Sequence, residues 1–554
     1  MAECHPNADV WRVIFEHSDY HELWNLCLVS REFNVIATPL LYRSIPLIAP
    51  EEPDFQARRW QKPEKKAPHP RGHRLLISRL QDQANDTLRA WIHEVIIAYP
   101  SVSIDHDSIR RLETDDFLAK LIACLPSLRR ISIAVPSLQS DALIRTICDH
   151  SAKPELLLLN QDGKSETLTF ADQTLPCVST LSANVNTSDD SSGPNRRIPA
   201  IQQLFFNSPN LRSFSLEFHE TYGGCVIRMP RHERINSFRF TGEEKFPPLK
   251  HLSLDGYRID DGEWTYWRDG FQWEKLSSLS VGPDNTGDLL DRLAGYATSL
   301  TTLKVSAWAD DSDPGVKRLE KLLWSFNSLE TLEIKGFMCS IAAIANHGNL
   351  STLCLHEEEL VHSEHQRRVA TAQELDHLDI HCPKLKSLAV CLNRRDNQWP
   401  EDVFNKLATR FKNLRNLSLH FGLGLGNINH PIKPTINYSS VRSIGEKYFD
   451  QRKHSGIDIS DLFTLTIWTG KYFRRFPRWE PAYSRFEKQY TATYEIRLRN
   501  DEIHVRHLQK EKLDLVSSGK IKMSTWSYYG LPEQVKGAVE GPKDSERGFG
   551  RGFF

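Results

Sequence analysis

His377 and His381 stand four residues apart, a spacing that brings two imidazoles to one helical face, where they can share a metal ion. His362 and His365 add to a local histidine cluster. No Glu follows His377 directly, so H-E-x-x-H, in which a carboxylate beside the metal acts as general base, is not met. Chance and solvent exposure account for the cluster better than a metal centre does. The stretch "FGLGLGNIN", around Gly422, is rich in glycine. It lacks the G-x-G-x-x-G spacing of a phosphate cradle and reads as a loop. Neither G-x-x-x-x-G-K-[ST] nor G-x-S-x-G occurs. No acid/base pair can be nominated, so no catalytic residue, metal or cofactor is expected.

The chain around these residues has 554 positions, enough for more than one domain unless repeats stack into one long unit. It is 40% hydrophobic and 25% charged, ordinary for a globular protein, and its net charge of -1 gives no global pull toward nucleic acid or anionic membrane. The opening "MAECHPNADVWRVIFEHSDY" carries acids and does not read as a secretory signal. No run of about 18 apolar residues suggests a membrane span. Ten scattered cysteines without C-x-x-C suit reduced thiols and argue against a disulfide framework or a zinc ribbon. A cytoplasmic or nuclear location is the expectation.

The first 47 residues hold three short apolar stripes. Asn7 or Asp9 can cap a helix carrying Val10, Val13, Ile14 and Phe15, with Val10 and Ile14 one turn apart on a shared face. A second segment carries Leu23, Leu26 and Cys27. A third carries Val29, Phe33, Ile36 and Ala37 and should stop at Thr38, because Pro39 disfavours a helical residue before it. A unit this small hides too little area to bury that surface alone. It packs on the rest of the chain or on another protein. "DVWRVIFEHSDYHELWNLCLVSREFNVIATPLLYRSI" resembles an F-box, with Ile14-Phe15, Leu23, Leu26, Val29-Ser30 and Phe33 in the places of that family's pattern. The usual Leu-Pro opening is replaced by "HPNADV".

Residues 50–74 combine prolines with a basic cluster at Arg58, Arg59, Lys65 and Lys66. This composition reads as a solvated linker, with a nuclear import signal as the less favoured alternative.

Past residue 88 one phrase recurs: apolar, two others, apolar, one other, apolar. It begins at Leu128, Leu211, Leu249, Leu276, Leu300, Leu329, Leu350, Leu385 and Leu414, with weaker copies at Ile92 and Leu462. The last two apolar places alternate as in a strand. From Leu276 to Leu414 the starts are 24, 29, 21, 35 and 29 residues apart. Helix-like stretches such as "GVKRLEKLLWSFN" and "EDVFNKLATRFK" fill the gaps. Strand and helix alternating at short period predict a solenoid. The pattern resembles irregular leucine-rich repeats; only Asn393 fills the ninth place with the family's asparagine, so no regular asparagine ladder is expected. A different α/β fold with a parallel sheet is the alternative. The stretch from Ser182 to Pro199 reads as a loop.

Alternation turns the residues between the core positions to the opposite face of the sheet. Arg130, Ser213, His251, Ser278, Thr302, Thr331, Thr352 and Asn416 stand there and are candidate contacts for a bound protein. At 466–499, aromatic residues alternate with Arg and Lys, as single-stranded nucleic acid readers do. The alternating "YTATYEIRLR" favours instead a closing strand that caps the repeats, so no nucleic acid partner is expected.

Together the expectation is an α/β chain: F-box helices at 1–49, a basic Pro-containing linker at 50–87, irregular leucine-rich repeats at 88–470, a C-terminal cap at 471–530 and a disordered tail at 531–554. The resemblance implies docking on a Skp-family adaptor, and through it on a cullin–RING ubiquitin ligase, by Val10, Ile14, Phe15, Leu23, Leu26, Val29 and Phe33. The repeats would hold an unknown protein substrate. The rival is a repeat-based binding scaffold with no ligase role.

Overall fold

The computed structural model describes residues 7–48, 76, 78–98, 115–134, 141–161, 170–186, 197–219, 238–257, 259, 261–282, 286–306, 314–357, 367–394, 398–422, 432–457, 463–469 and 492–508. The basic cluster at 58–66, His362 and His365, the predicted tail and most of the predicted loops and linker lie outside these residues. The chain forms two compact units, residues 1–285 and 286–554.

The first unit opens with three helices, α1 (Ala8–Phe15), α2 (Tyr20–Val29) and α3 (Arg31–Leu41). Asp19 and Glu22 cap α2 reciprocally, at 2.8 and 3.0 Å, each side chain accepting from the other's backbone N–H. Ser30 ends α2 and caps α3, its hydroxyl accepting from the Phe33 N–H at 3.1 Å. Pro39 does not end α3 at Thr38, contrary to expectation. It sits in the last turn, where its missing N–H costs only one helical hydrogen bond. Ala37 and Leu41, buried on either side of it, hold that turn in place.

Eight parallel strands follow in sequence order in this unit. They are β1 (Ser44–Ile48), β2 (Glu94–Ala98), β3 (Arg130–Ile133), β4 (Glu155–Gln161), β5 (Val178–Asn186), β6 (Ser213–His219), β7 (His251–Asp255) and β8 (Ser278–Val281). The second unit continues with β9 (Thr302–Ser306), β10 (Thr331–Lys335), β11 (Thr352–His356), β12 (Ser387–Leu392), β13 (Asn416–Phe421) and β14 (Thr464–Thr469), also parallel. Two antiparallel strands, β15 (Ala492–Arg499) and β16 (Glu502–His507), complete it. Helices lie between many of the strands, as Pro314–Trp324 does between β9 and β10 and Glu401–Thr409 between β12 and β13. This is an α/β architecture with mostly parallel sheet, compatible with a solenoid.

Every copy of the recurring phrase becomes a strand, and each strand starts two residues after the leading apolar residue. That residue is buried wherever it is described, in the turn entering the strand. The predicted loop from Ser182 does not begin there. Leu181, Ala183 and Val185 are all buried, and their alternation carries β5 through Asn186. The helix Arg197–Phe206 takes the other end of that stretch. The expectation of reduced cysteines fails at Cys148 and Cys177, which form a disulfide. The fold brings the end of the helix Asp141–Cys148 beside the residue preceding β5, with the two Cα atoms 5.2 Å apart. Among the described residues no helix is long and apolar enough to cross a membrane.

His347 follows the short helix Ile341–Ala345 and is fully buried, its ring 5.1 Å from that of Phe326. Burial lowers its pKa from the ordinary 6.5 to about 4. The unfolded chain therefore binds a proton between these values that the folded one refuses. Stability is whole above pH 6.5 and falls as the pH drops toward 4, by about 3 kcal/mol from this residue. Urea titrations at pH 7 and pH 4.5 should show a steeper loss for wild type than for His347→Gln. Equal losses would contradict the assignment.

Candidate functional site

Two surfaces and one side-chain cluster stand out. The N-terminal helices have their own small core of Phe15, Leu23, Ala37 and Leu41, with Trp11, Leu26, Cys27, Phe33 and Ile36 packed partly against it. Phe33 rings lie 4.9 Å from Trp11 and 5.1 Å from Phe15. Of the seven apolar positions picked out by resemblance, Phe15 and Leu23 are therefore interior, and Leu26 and Phe33 are half-buried. Val10, Ile14 and Val29 face outward, at 49%, 48% and 66% exposure. The fold adds Val13, Trp24, Leu28 and Val35, exposed residues the pattern did not single out as contacts. Seven of the twelve large apolar side chains exposed among the described residues lie between Val10 and Val35. Val10, Val13 and Ile14 share one helical face, as Trp24 and Leu28 share another. A solvated surface has no use for this concentration of apolar groups.

The second kind of surface is, in each unit taken by itself, the sheet face turned away from the buried strand residues. In the first unit Ser213, His251 and Ser278 stand side by side in register, half-buried or exposed. Arg130 is exposed there between Glu94 and Glu155, at 3.7 and 3.9 Å. Ser132, two residues along the same strand, is buried at 7% exposure. In the second unit Thr302, Thr331, Thr352, Ser387 and Asn416 form one continuous row. Two residues along runs a parallel row of Lys304, Glu333, Cys354, Ala389 and Ser418. Lys304 pairs with Glu333 at 3.4 Å. Burial works to raise the Glu333 carboxyl, but Lys335 and Lys304 outweigh it and hold it below the usual carboxylate range. Burial, then the Glu333 carboxylate, pushes the Cys354 thiol up to about 12, so this cysteine is no ready nucleophile. The rows present hydroxyls, an amide and a paired lysine and glutamate.

The third feature is one step further along the same strands. His356 ends β11, Cys391 lies in β12 and His420 in β13, with Cys391 and His420 directly opposite each other. His356 Nδ1 lies 3.3 Å from Cys391 Sγ, which lies 3.6 Å from His420 Nδ1. Cys391 and His420 are buried and His356 is half-buried. Trp468, opposite His420 in β14, puts its ring 3.9 Å from His420 and 4.8 Å from His356. Arg367 reaches His420 Nδ1 at 2.5 Å and also donates to the Leu392 carbonyl at 2.9 Å and the Asn393 side chain at 3.2 Å. Sequence reading passed over this group and weighed His377 and His381 instead. Those two rings do approach to 4.3 Å on the helix Ala372–His381, but both are exposed and no third ligand joins them among the described residues. The missed signal was positional. His356, Cys391 and His420 each hold the seventh place of three successive copies of the phrase.

No protein-family model matches this chain, and no curated protein matches it.

Proposed function

We propose that this chain is the substrate-recognition subunit of an SCF-type ubiquitin ligase. Its N-terminal helices act as an F-box that docks on a Skp-family adaptor, and its strand-and-helix units, read as irregular leucine-rich repeats, bind a protein substrate. The observation that carries the reading is the set of uncovered apolar side chains at Val10, Val13, Ile14, Trp24, Leu28, Val29 and Val35. They surround a helical unit that already has a core of its own. A capping subdomain would turn such residues toward its own chain. An adaptor-binding module needs them outside.

On this reading the chain catalyses nothing itself. It raises the effective concentration of a substrate lysine near the charged ubiquitin-conjugating enzyme, through binding alone. That role asks for a polar sheet surface rather than a nucleophile, which is the chemistry of the row from Thr302 to Asn416 in the second unit and, separately, of the row from Ser213 to Ser278 in the first.

Co-expression with a tagged Skp-family adaptor tests the proposal. The full chain should elute with the adaptor as a one-to-one complex on size exclusion. A chain that elutes alone, with the adaptor in excess, would reject the ligase role and leave a binding scaffold.

A further inference from the structure

We propose that His356, Cys391 and His420 form a binding site for a borderline-soft divalent transition metal, with zinc the natural occupant, on the sheet of the second unit. The inference stands apart from the ligase reading, because nothing in it requires an adaptor or a substrate.

Geometry is the first support. A tetrahedral zinc ion holds sulfur at about 2.3 Å and imidazole nitrogen at 2.0–2.1 Å, which places the two ligand atoms about 3.6 Å apart. The Cys391 Sγ separations of 3.3 and 3.6 Å from the two histidine nitrogens lie just below and at that value. All three ligand atoms lie within 4.8 Å of one another. Chemistry is the second support. Two imidazoles and a thiolate suit zinc, cobalt or copper and not magnesium or calcium, which take oxygen ligands. Rigidity is the third. The ligands sit on three strands fixed in parallel register, so little chain entropy remains to be lost on binding.

Three protein ligands leave the fourth position of a tetrahedron to water or to an atom of a bound molecule. Binding removes the Cys391 thiol proton to solvent, and the thiolate makes the metal bond. At His420 the metal takes the Nδ1 lone pair that now accepts from Arg367. The guanidinium must swing its Nη1 off that nitrogen to admit the ion, while Nη2 is the group bonded to the Leu392 carbonyl and Asn393. Trp468 walls one side of the group.

The test uses the full chain, reduced and stripped of metal by a chelator, then titrated with zinc against a chromophoric competitor and separately with cobalt. The expected result is one equivalent of tightly held zinc and a thiolate-to-cobalt charge-transfer band. Cys391→Ser should lose the band and weaken zinc binding more than about 100-fold, beyond what loss of a supporting residue costs. The double variant His377→Ala, His381→Ala should bind as wild type does. Should Cys391→Ser fail to fold, X-ray absorption of zinc-loaded wild type gives the same answer, with one sulfur and two imidazoles bound. No zinc uptake, a metal shell without sulfur, or an unchanged Cys391→Ser would overturn the proposal.

Discussion

Replacing Val10, Ile14 and Val29 together with Asp is expected to abolish recovery of the Skp-family adaptor while leaving the chain folded. The expectation follows from where these three side chains lie. None belongs to the small core of Phe15, Leu23, Ala37 and Leu41, and all three are about half exposed or more. Surface substitutions away from caps and cores usually change stability by no more than about 0.5 kcal/mol. Carboxylates carried into an apolar interface behave differently. Each is stripped of water without a partner, at about 2 kcal/mol or more. Three such penalties should weaken binding more than about 1000-fold. Co-elution and biolayer interferometry would read the loss, and circular dichroism would confirm intact helices. A triple variant that still binds at wild-type strength would place the docking surface elsewhere or remove it. Phe15→Ala is the wrong probe, because Phe15 packs against Trp11 and Phe33 and its loss melts the module itself.

The strands were legible because one local rule repeats. An apolar residue, buried in the entering turn wherever it is described, followed by two more at alternating places, marks eleven of the sixteen strands among the described residues. The others break that rule for identifiable reasons. β1 contains Pro46, which cannot donate to a ladder; it pairs with β2 alone among the described residues, and edge positions tolerate proline. β4 has Lys153, with φ of 48°, where the leading apolar residue should stand. β5 keeps the spacing with smaller members, Val178, Leu181 and Ala183, and so escaped notice. β15 and β16 are antiparallel, and β16 lacks the phrase altogether.

The cluster at His356 was hidden for a different reason. Histidines were weighed by helical spacing, which ranks His377 with His381. The parallel sheet instead joins residues 35 and 29 apart in the chain, from His356 to Cys391 and from Cys391 to His420. A reading that stacked the repeats before looking for ligands would have found them in one column. The apolar surface of the helices was partly legible. The family resemblance marked the residues, but only the packing divides Phe15 and Leu23 inside from Val10, Ile14 and Val29 outside.

Trp267→Ala should produce the largest loss of stability in the first unit, about 4–8 kcal/mol. Trp267 is fully buried in the helix Asp261–Gly270. Its ring lies 4.9 Å from Phe246, 5.5 Å from Phe271 and 5.9 Å from Trp273. Truncating a buried tryptophan typically costs 3–5 kcal/mol in lost contacts and residual cavity. A polar cost adds to this. Trp267 Nε1 donates at 2.9 Å to Glu263, a buried residue that also accepts from the Tyr257 hydroxyl. Burial, then the Glu263 carboxylate, raises the Tyr257 pKa well above its ordinary value, so the phenol stays a donor. Removing the indole N–H takes one donor from a desolvated carboxylate, at about 1–3 kcal/mol. Trp267→Phe helps to separate the two contributions, since it removes the donor and only part of the packed ring. It should cost more than the about 1–3 kcal/mol of the lost donor and less than the alanine variant. Guanidinium titrations followed by circular dichroism check both values. Equal losses for alanine and phenylalanine would show that the indole N–H, and not the packed ring, holds this core together.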